Sequence, residues 1–391
     1  MHYNPYYKPL IVKYNVADTS TSTQLYFYSS QQGLICNASI MFDKIEIDNV
    51  EVSISGLDTA EGKYQFSTTG EHVVKYTLKD PTFIGIEMDD VQITNIGATF
   101  LQCTAITEVI IPNSVTTIDY GAFGDCDGLT SITIPDSVTS IGNSAFIGCS
   151  GLTSITIPNG VTSIGDDVFN ACTGLISITI PNGVTTIGNY AFAGCRGITS
   201  VTIPDSVTTI GNSAFQGCTG LTSITIPNGV TSIGNQTFYE CSGLTSITIP
   251  NSVTTIRNHA FGDCDGLTSI TIPNGVTSIG YGAFSDCNGL TSITIGNSVT
   301  SIDYGAFSNC DGLTSIMIPN GVTSIGDIAF RSCTSLISVT VQATTPPTLG
   351  SNNVFNNNAS GRKIYVPSES VSTYKAASGW STYANDIEAI Q

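Results

Sequence analysis

Eleven cysteines recur at one fixed interval: Cys103, Cys126, Cys149, Cys172, Cys195, Cys218, Cys241, Cys264, Cys287, Cys310 and Cys333, each 23 residues after the last. A phenylalanine stands three places before every one of them, from Phe100 through Phe123 and Phe146 to Phe330. A domain built around a single closed core has no use for such a period. A stack of like coils does, because each coil touches only its neighbours and presents the same side chains to both. The period therefore overrides the several domains that 391 residues suggest by length alone.

The unit from Leu129 to Cys149 shows how one coil is built. Leu129, Ile132 and Ile134 are spaced for the inside at the entry to a strand, and Ser131 and Thr133, of opposite parity, for solvent. Pro135 cannot donate to a ladder and ends the strand, while Asp136 and Ser137 supply turn chemistry. Val138 and Ile141 return inward on a second short extended segment. Gly142 then leads into a single helical or 3-10 turn that delivers Ala145, Phe146 and Cys149 to the core, and Gly151 closes the coil. A lone coil buries too little apolar surface to offset the ordering of its own backbone. Stacking must supply the rest, and both ends of the stack need covers.

Residues 1–81 carry no period. Alternating stretches at 10–14, 24–28, 44–47, 50–54, 64–67 and 72–78 predict a small N-terminal β domain. An irregular first coil occupies 82–103, and about eleven coils carry the solenoid to residue 345. In 346–391, Pro346 and Pro347 break the period, a strand is expected at 364–366, and a helix over 368–377 turns Val371, Tyr374 and Ala377 inward. Trp380, Tyr383, Ile387 and Ile390 are then expected to close the stack, giving a C-terminal α/β cap.

The charge pattern limits the partners. Thirty acids against 12 Lys and Arg leave a formal charge of −18, and Arg196, Arg257 and Arg331 are the only bases between Lys79 and Arg362. No basic stripe is available to displace counterions from nucleic acid or to meet an anionic membrane. There is no apolar run long enough for a membrane helix. The first residues also lack a basic segment leading into an apolar one, so a virion-associated or cytoplasmic location is expected rather than classical secretion. The repeat cysteines share one phase and form an inward ladder, a position that suits free thiols. Neighbouring rungs about 5 Å apart could be bridged, but an odd number of rungs is a poor plan for pairing. Reduced structural thiols are expected.

The unit L-T-S-I-T-I-P-N-G-V-T-S-I-G-x-x-A-F-x-G-C-x-G resembles the BspA-like, or Treponema-type, leucine-rich repeat over roughly two thirds of the chain, from about 82 to 341. The flanking segments, Ile364-Tyr-Val-Pro and the stretch from Phe66 to Lys79, are similar to companions of these repeats in gut Bacteroides and in phages that infect them. The resemblance implies a leucine-rich-repeat solenoid that recognises or adheres to a protein or glycan and has no enzymatic activity. Two other uses of such a stack stay open: a structural spacer or phage tail component that serves as a rigid rod docked by the N-terminal domain, or an ice-binding surface whose regular Ser-x-Thr columns order water.

The candidate binding face consists of outward pairs on successive strands. They are Ser131 and Thr133, Ser154 and Thr156, Ser177 and Thr179, Ser200 and Thr202, Ser223 and Thr225, Ser246 and Thr248, Ser269 and Thr271, and Ser292 and Thr294. Stacking arrays them as two hydroxyl columns. Tyr120, Tyr190, His259, Tyr281 and Tyr304 vary within the repeat and are expected at its edge. Catalysis finds no support: the cysteines point inward, His2, His72 and His259 are the only histidines, and no nucleophile and base share a usable spacing. A linear thiol ladder offers no tetrahedral metal pocket, and no loop around Asp125, Asp127, Asp263, Asp265 or Asp286 follows a calcium-binding pattern. No cofactor is expected. Replacing Phe215 with Ala should open a core void costing about 3–5 kcal/mol and loosen the adjoining coils. Unchanged thermal unfolding of that variant would show that the inward assignment is wrong.

Overall fold

The structure, a computed structural model, describes residues 95–391 except 98, 99, 103, 105 and 112, together with six earlier strands. These are Leu10–Val16, Thr23–Gln24, Phe42–Ile47, Val50–Val52, Lys63–Tyr64 and Gly70–Leu78. Each of the six expected N-terminal stretches coincides with one of them in whole or in part. The remainder of the stretches at 24–28, 50–54 and 64–67, most of the irregular coil at 82–103, and Cys103 lie outside the described residues. The chain divides into two units, Met1–Val184 and Thr185–Gln391.

In the first unit, Leu10–Val16 lies between Gly70–Leu78 and Ile106–Ile110 and runs antiparallel to both. Phe42–Ile47 and Val50–Val52 continue the sheet on its far side. Ser131–Thr133 then pairs parallel with Ile106–Ile110, with Ile132 opposite Val109. A parallel ladder ends in a row of unpaired N–H and C=O groups. Here that row is satisfied by an antiparallel strand from the start of the chain.

The coil is the same in both units. In the one beginning at Leu129, the strand Ser131–Thr133 buries Ile132 and exposes its two neighbours. Ser140–Ile141 makes a second ladder with Thr117–Ile118. Leu129, Val138, Ala145, Phe146 and Cys149 are fully buried, and Ile134 is half-buried.

The third side of the coil differs from the expected helical or 3-10 turn. Ala145, Ile147 and Cys149 do donate to carbonyls three residues back. Ser144, Phe146 and Gly148, the residues between them, instead donate to Asp166, Val168 and Asn170 of the next coil. Two left-handed residues, Ser144 at φ 58° and Gly148 at φ 72°, make this alternation possible. A helix would direct every N–H back into its own coil and leave the stack unbonded on that side. The same pair of left-handed positions recurs in the second unit, for example at Ser213 and Gly217 and at His259 and Asp263.

The side chains follow the backbone. In the first unit Phe100, Phe123, Phe146 and Phe169 stack with centroids 5.1, 5.3 and 5.6 Å apart and planes within 5°. In the second, Phe215 is wholly buried between Phe192 at 5.3 Å and Phe238 at 5.6 Å. The ten described ladder cysteines are buried and form no disulfides. Their thiols do more than fill space. Cys149 Sγ donates to the carbonyl of Phe123, and Cys241 Sγ to that of Phe215, at 3.0 and 3.1 Å. Each such bond ties a coil to the one before it.

The two units together hold about 13 turns, where the cysteine period predicts about eleven. The surplus comes from the C-terminal segment, which continues the ladder although its sequence has left the repeat. Ser315–Ile318, Ser338–Val341, Lys363–Val366 and Ile387–Ala389 form one parallel sheet. Phe355 carries on the phenylalanine stack, 5.5 Å from Phe330, and Trp380 lies 5.9 Å beyond it. The expected helix is a 3-10 turn, Ser368–Ser370, followed by the α-helix Val371–Ala376. Tyr374, Trp380 and Tyr383 are buried, and each donates to a main-chain carbonyl, of Ala343, Pro347 and Asn352 respectively. Arg362 is also buried, with its guanidinium over the Phe355 and Tyr383 rings and 2.6 Å from Asp386. Ile387 is buried as expected, but Ile390 is 39% exposed. Main-chain bonding brings Ile390 N to Val366, past the point where any coil remains to cover its side chain.

Burial pushes the thiols of Cys172, Cys218 and Cys287 up to about 12 and raises those of Cys241 and Cys264 as well. The folded state thus holds these protons more tightly than the unfolded chain, whose thiols ionise near 8.5. Their contribution to stability is complete below that value and falls as pH rises from about 9 towards 12. Thermal unfolding followed across this window should show the melting temperature dropping steeply above pH 9. Thiol reagents at pH 8 should modify the ladder at a rate that rises with denaturant. Rapid modification of three or more of the twelve cysteines in the native protein would contradict the arrangement, since only Cys36 and Cys103 lie outside the described ladder.

Candidate binding face

Every residue of the expected pairs is exposed: Ser131, Thr133, Ser154, Thr156, Ser177 and Thr179 in the first unit, and Ser200, Thr202, Ser223, Thr225, Ser246, Thr248, Ser269, Thr271, Ser292 and Thr294 in the second. Parallel pairing sets like beside like. Ser154 lies opposite Ser177 and Thr156 opposite Thr179 in the first unit, and Ser223 opposite Ser246 and Thr225 opposite Thr248 in the second.

Other hydroxyls and amides of the coil are already committed. Thr222 Oγ1 donates to the Thr199 carbonyl at 3.1 Å and Thr245 Oγ1 to that of Thr222 at 3.2 Å. A second column does the same through Thr254, Thr277, Thr300 and Thr323. Asparagines form a third: Asn189 Oδ1 accepts from Asn212 N, Asn212 Oδ1 from Asn235 N, and Asn235 Oδ1 from Asn258 N, at 2.8 to 3.2 Å. By contrast, the hydroxyls of the strand-face pairs make no hydrogen bond among the described residues. The sequence analysis singled out the strand-face pairs by parity and did not identify the bonded columns beside them. What separates them is whether a side chain leans along the stack or stands off it, and period alone does not report that.

Two departures from the repeat stand out in the second unit. Tyr239, His259, Tyr281 and Tyr304 form an aromatic row with centroids 5.9, 4.9 and 5.0 Å apart. Tyr281 and Tyr304, like Tyr120 and Tyr190 elsewhere, are among the exposed large residues. The His259 imidazole fills the space a side chain would take at Gly282, where an added Cβ would lie 2.6 Å from its Cε1. Asp263, bonded to the Tyr239 hydroxyl, pushes that phenol up to about 12. The second departure is Gly296, which replaces the proline found in the adjoining coils at Pro273 and Pro319. It borders a groove of about 500 Å³ on the strand face, lined by residues of three coils. That substitution was visible in the sequence and was the available signal for the groove.

Among the described residues, no group of three or more His, Cys, Asp or Glu side chains is placed to hold a metal ion. Nor is any helix there long and apolar enough to cross a membrane.

The family described as BspA type Leucine rich repeat region matches in six copies, over residues 64–153, 91–222, 140–268 and 254–378. The chain belongs to this family. Among solved structures it is similar to a leucine rich cell surface protein from Faecalibacterium prausnitzii, at 34% identity over 73% of this chain and 86% of that one, with a TM-score of 0.48. It is also similar to a leucine-rich repeat protein from Bacteroides ovatus, at 26% identity over 73% and 95%, with a TM-score of 0.36. A third, the leucine rich repeat protein of T. pallidum, shares 29% identity over 44% and 83%, with a TM-score of 0.40. No curated protein matches the chain. Proteins of this repeat type are typically non-enzymatic, and such solenoids generally bind proteins or other surface ligands.

The contrast between committed and uncommitted hydroxyls has a measurable consequence. Thr245→Val and Thr277→Val each remove a bond between coils and should cost about 0.5–1.5 kcal/mol. Thr248→Val and Thr271→Val, on the strand face, should stay within about 0.5 kcal/mol of the parent. Chemical denaturation of the four variants separates the two classes, and equal losses in all four would contradict the assignment.

Proposed function

We propose that this protein is a non-enzymatic recognition or adhesion protein that binds a protein or glycan surface through the Ser and Thr columns of its strand face. The observation that carries this reading is the uncommitted state of those hydroxyls beside columns of Thr and Asn that the fold consumes. Ser and Thr on a rigid β surface offer donors and acceptors whose positions are set in advance, which lowers the ordering cost of binding. The contacts are individually weak, so affinity accumulates over several coils, and display of several copies together would add avidity. The face carries no Lys or Arg and presents no field to attract nucleic acid. Family membership supports an interaction role and is neutral on the partner.

The test uses beads carrying the full chain, scored for retention on panels of immobilised surface proteins and glycans. Thr202→Glu and Thr225→Glu place a charge in the column and should weaken retention by roughly tenfold or more, the effect of losing one or two contacts. Thr219→Glu, exposed but off the strand face, should bind like the parent. Retention equal across all three variants would contradict the reading.

A further inference from the structure

The groove beside Gly296 differs from the rest of the strand face, and the difference points to a ligand class. The bonded ladder is interrupted there, as it is again between Ser292–Thr294 and Ser315–Ile318: Ser246–Thr248 belongs to the sheet of Ser223–Thr225, whereas Ser269–Thr271 pairs only with Ser292–Thr294. Gly296 then brings its coil in close, since a Cβ at that position would lie 2.5 Å from the Pro273 carbonyl oxygen. The glycine is required by this approach of one backbone to another.

The lining is polar and wholly uncharged. Thr248, Thr271 and Thr294 form one row across three successive coils, and Asn251, Asn274 and Asn297 form a second, three residues further along each coil. Buried isoleucines make the floor between the rows. A volume of about 500 Å³ is within the range of small-ligand sites, roughly 300–1,000 Å³. The usual site of this size is mainly apolar with a few polar groups, whereas this one repeats a hydroxyl and an amide at each step of about 4.8 Å. The Asn274 Oδ1 already accepts from Asn297 N at 2.9 Å, which leaves its NH2 group to face the groove.

We propose that this groove is a subsite for a neutral, linear oligosaccharide lying along the stack, each sugar ring meeting one hydroxyl and one amide. The proposal rests on the reading of the strand face given above and narrows its ligand. A polyol matches the lining because its hydroxyls both donate and accept, as Thr and Asn side chains do. An anionic sugar finds no cation in the groove and approaches a chain of net charge −18. A cationic peptide finds no carboxylate among the lining residues. The isoleucine floor suits the C–H face of a pyranose ring.

The experiment applies the full chain to an array of neutral linear oligosaccharides printed beside sialylated and sulfated ones, followed by titration of any sugar retained. Neutral sugars should bind and the anionic ones should not. Thr248→Val and Thr271→Val, which keep shape and strand preference, should each weaken binding by about tenfold, the effect of losing one hydrogen bond. Equal retention of sulfated sugars, or neutral binding unaffected by both variants, would overturn the proposal. Retention of no sugar at all would overturn it too. If Thr202→Glu and Thr225→Glu still abolish attachment to a protein surface in that case, the reading of the strand face stands and only the glycan subsite falls.

Discussion

The structure depends on main-chain hydrogen bonds that join each coil to the next at alternate residues. Phe123 N reaches Ala145 O and Phe146 N reaches Val168 O in the first unit, and Phe215 N reaches Thr237 O in the second. Such bonds translate the chain onto itself, so every side chain meets a copy of itself about 4.8 Å away. Residues that tolerate their own kind at this distance are favoured. Phenylalanines stack, threonines bond the carbonyl behind them, and asparagines pass a bond from coil to coil. Charges do not tolerate it, since like charges facing one another across strands are destabilising. This explains a charged content of only 11%. It also explains the company kept by the acids that remain. Asp127 accepts from Ser150, Asp265 from Asn288, Asp286 from Asn309 and Asp311 from Thr334, each a neutral group one coil on.

A stack bonded in this way has a difficulty only at its ends, where the last coil has no copy to meet. The two ends are treated differently. In the first unit the opening rung is completed by an antiparallel strand, which needs register but no repeat. At the C-terminus the backbone keeps the ladder while the side chains change from small and repetitive to large and individual. Trp380, Tyr374 and Tyr383 close the core with rings, and each places its polar atom on a main-chain carbonyl. Arg362 sits among them, held by Asp386 and the Phe355 carbonyl. A buried guanidinium is tolerable because both partners are present.

The inward set was legible because a 23-residue period with Leu, Ile, Val, Ala, Phe and Cys at fixed phase admits few other arrangements. The strand-face pairs were legible by parity alone. Three things were not. The loop around Ser144 and Gly148 was expected to be helical, because spacing places Ala145, Phe146 and Cys149 inward under either conformation and only inter-coil bonding decides between them. The turns past Val341 were hidden because main-chain pairing there persists without the sequence period. The difference between Thr245, which bonds the stack, and Thr248, which does not, depends on side-chain direction along the axis, and the two residues belong to the same polar stretch.

Translation by identical coils also bears on what chemistry the surface can support. Catalysis needs unlike groups converging on one point, a nucleophile beside a base beside an oxyanion donor. A strict repeat produces the opposite, like groups in parallel rows. Rows are well suited to extended ligands with a repeating outline, and they bind through many equal contacts without the aromatic and arginine anchors that concentrate energy in most protein interfaces. Selectivity on such a surface must then arise where the repetition fails. In the second unit it fails at the Tyr281 and Tyr304 positions, where the asparagine ladder ends after Asn258, and at Gly296, where a proline is lost at the border of the strand-face groove. The first change adds rings at the edge of the coil. The second alters the face whose hydroxyls the fold leaves unused, and on the reading proposed for that face it is the change able to single out one ligand.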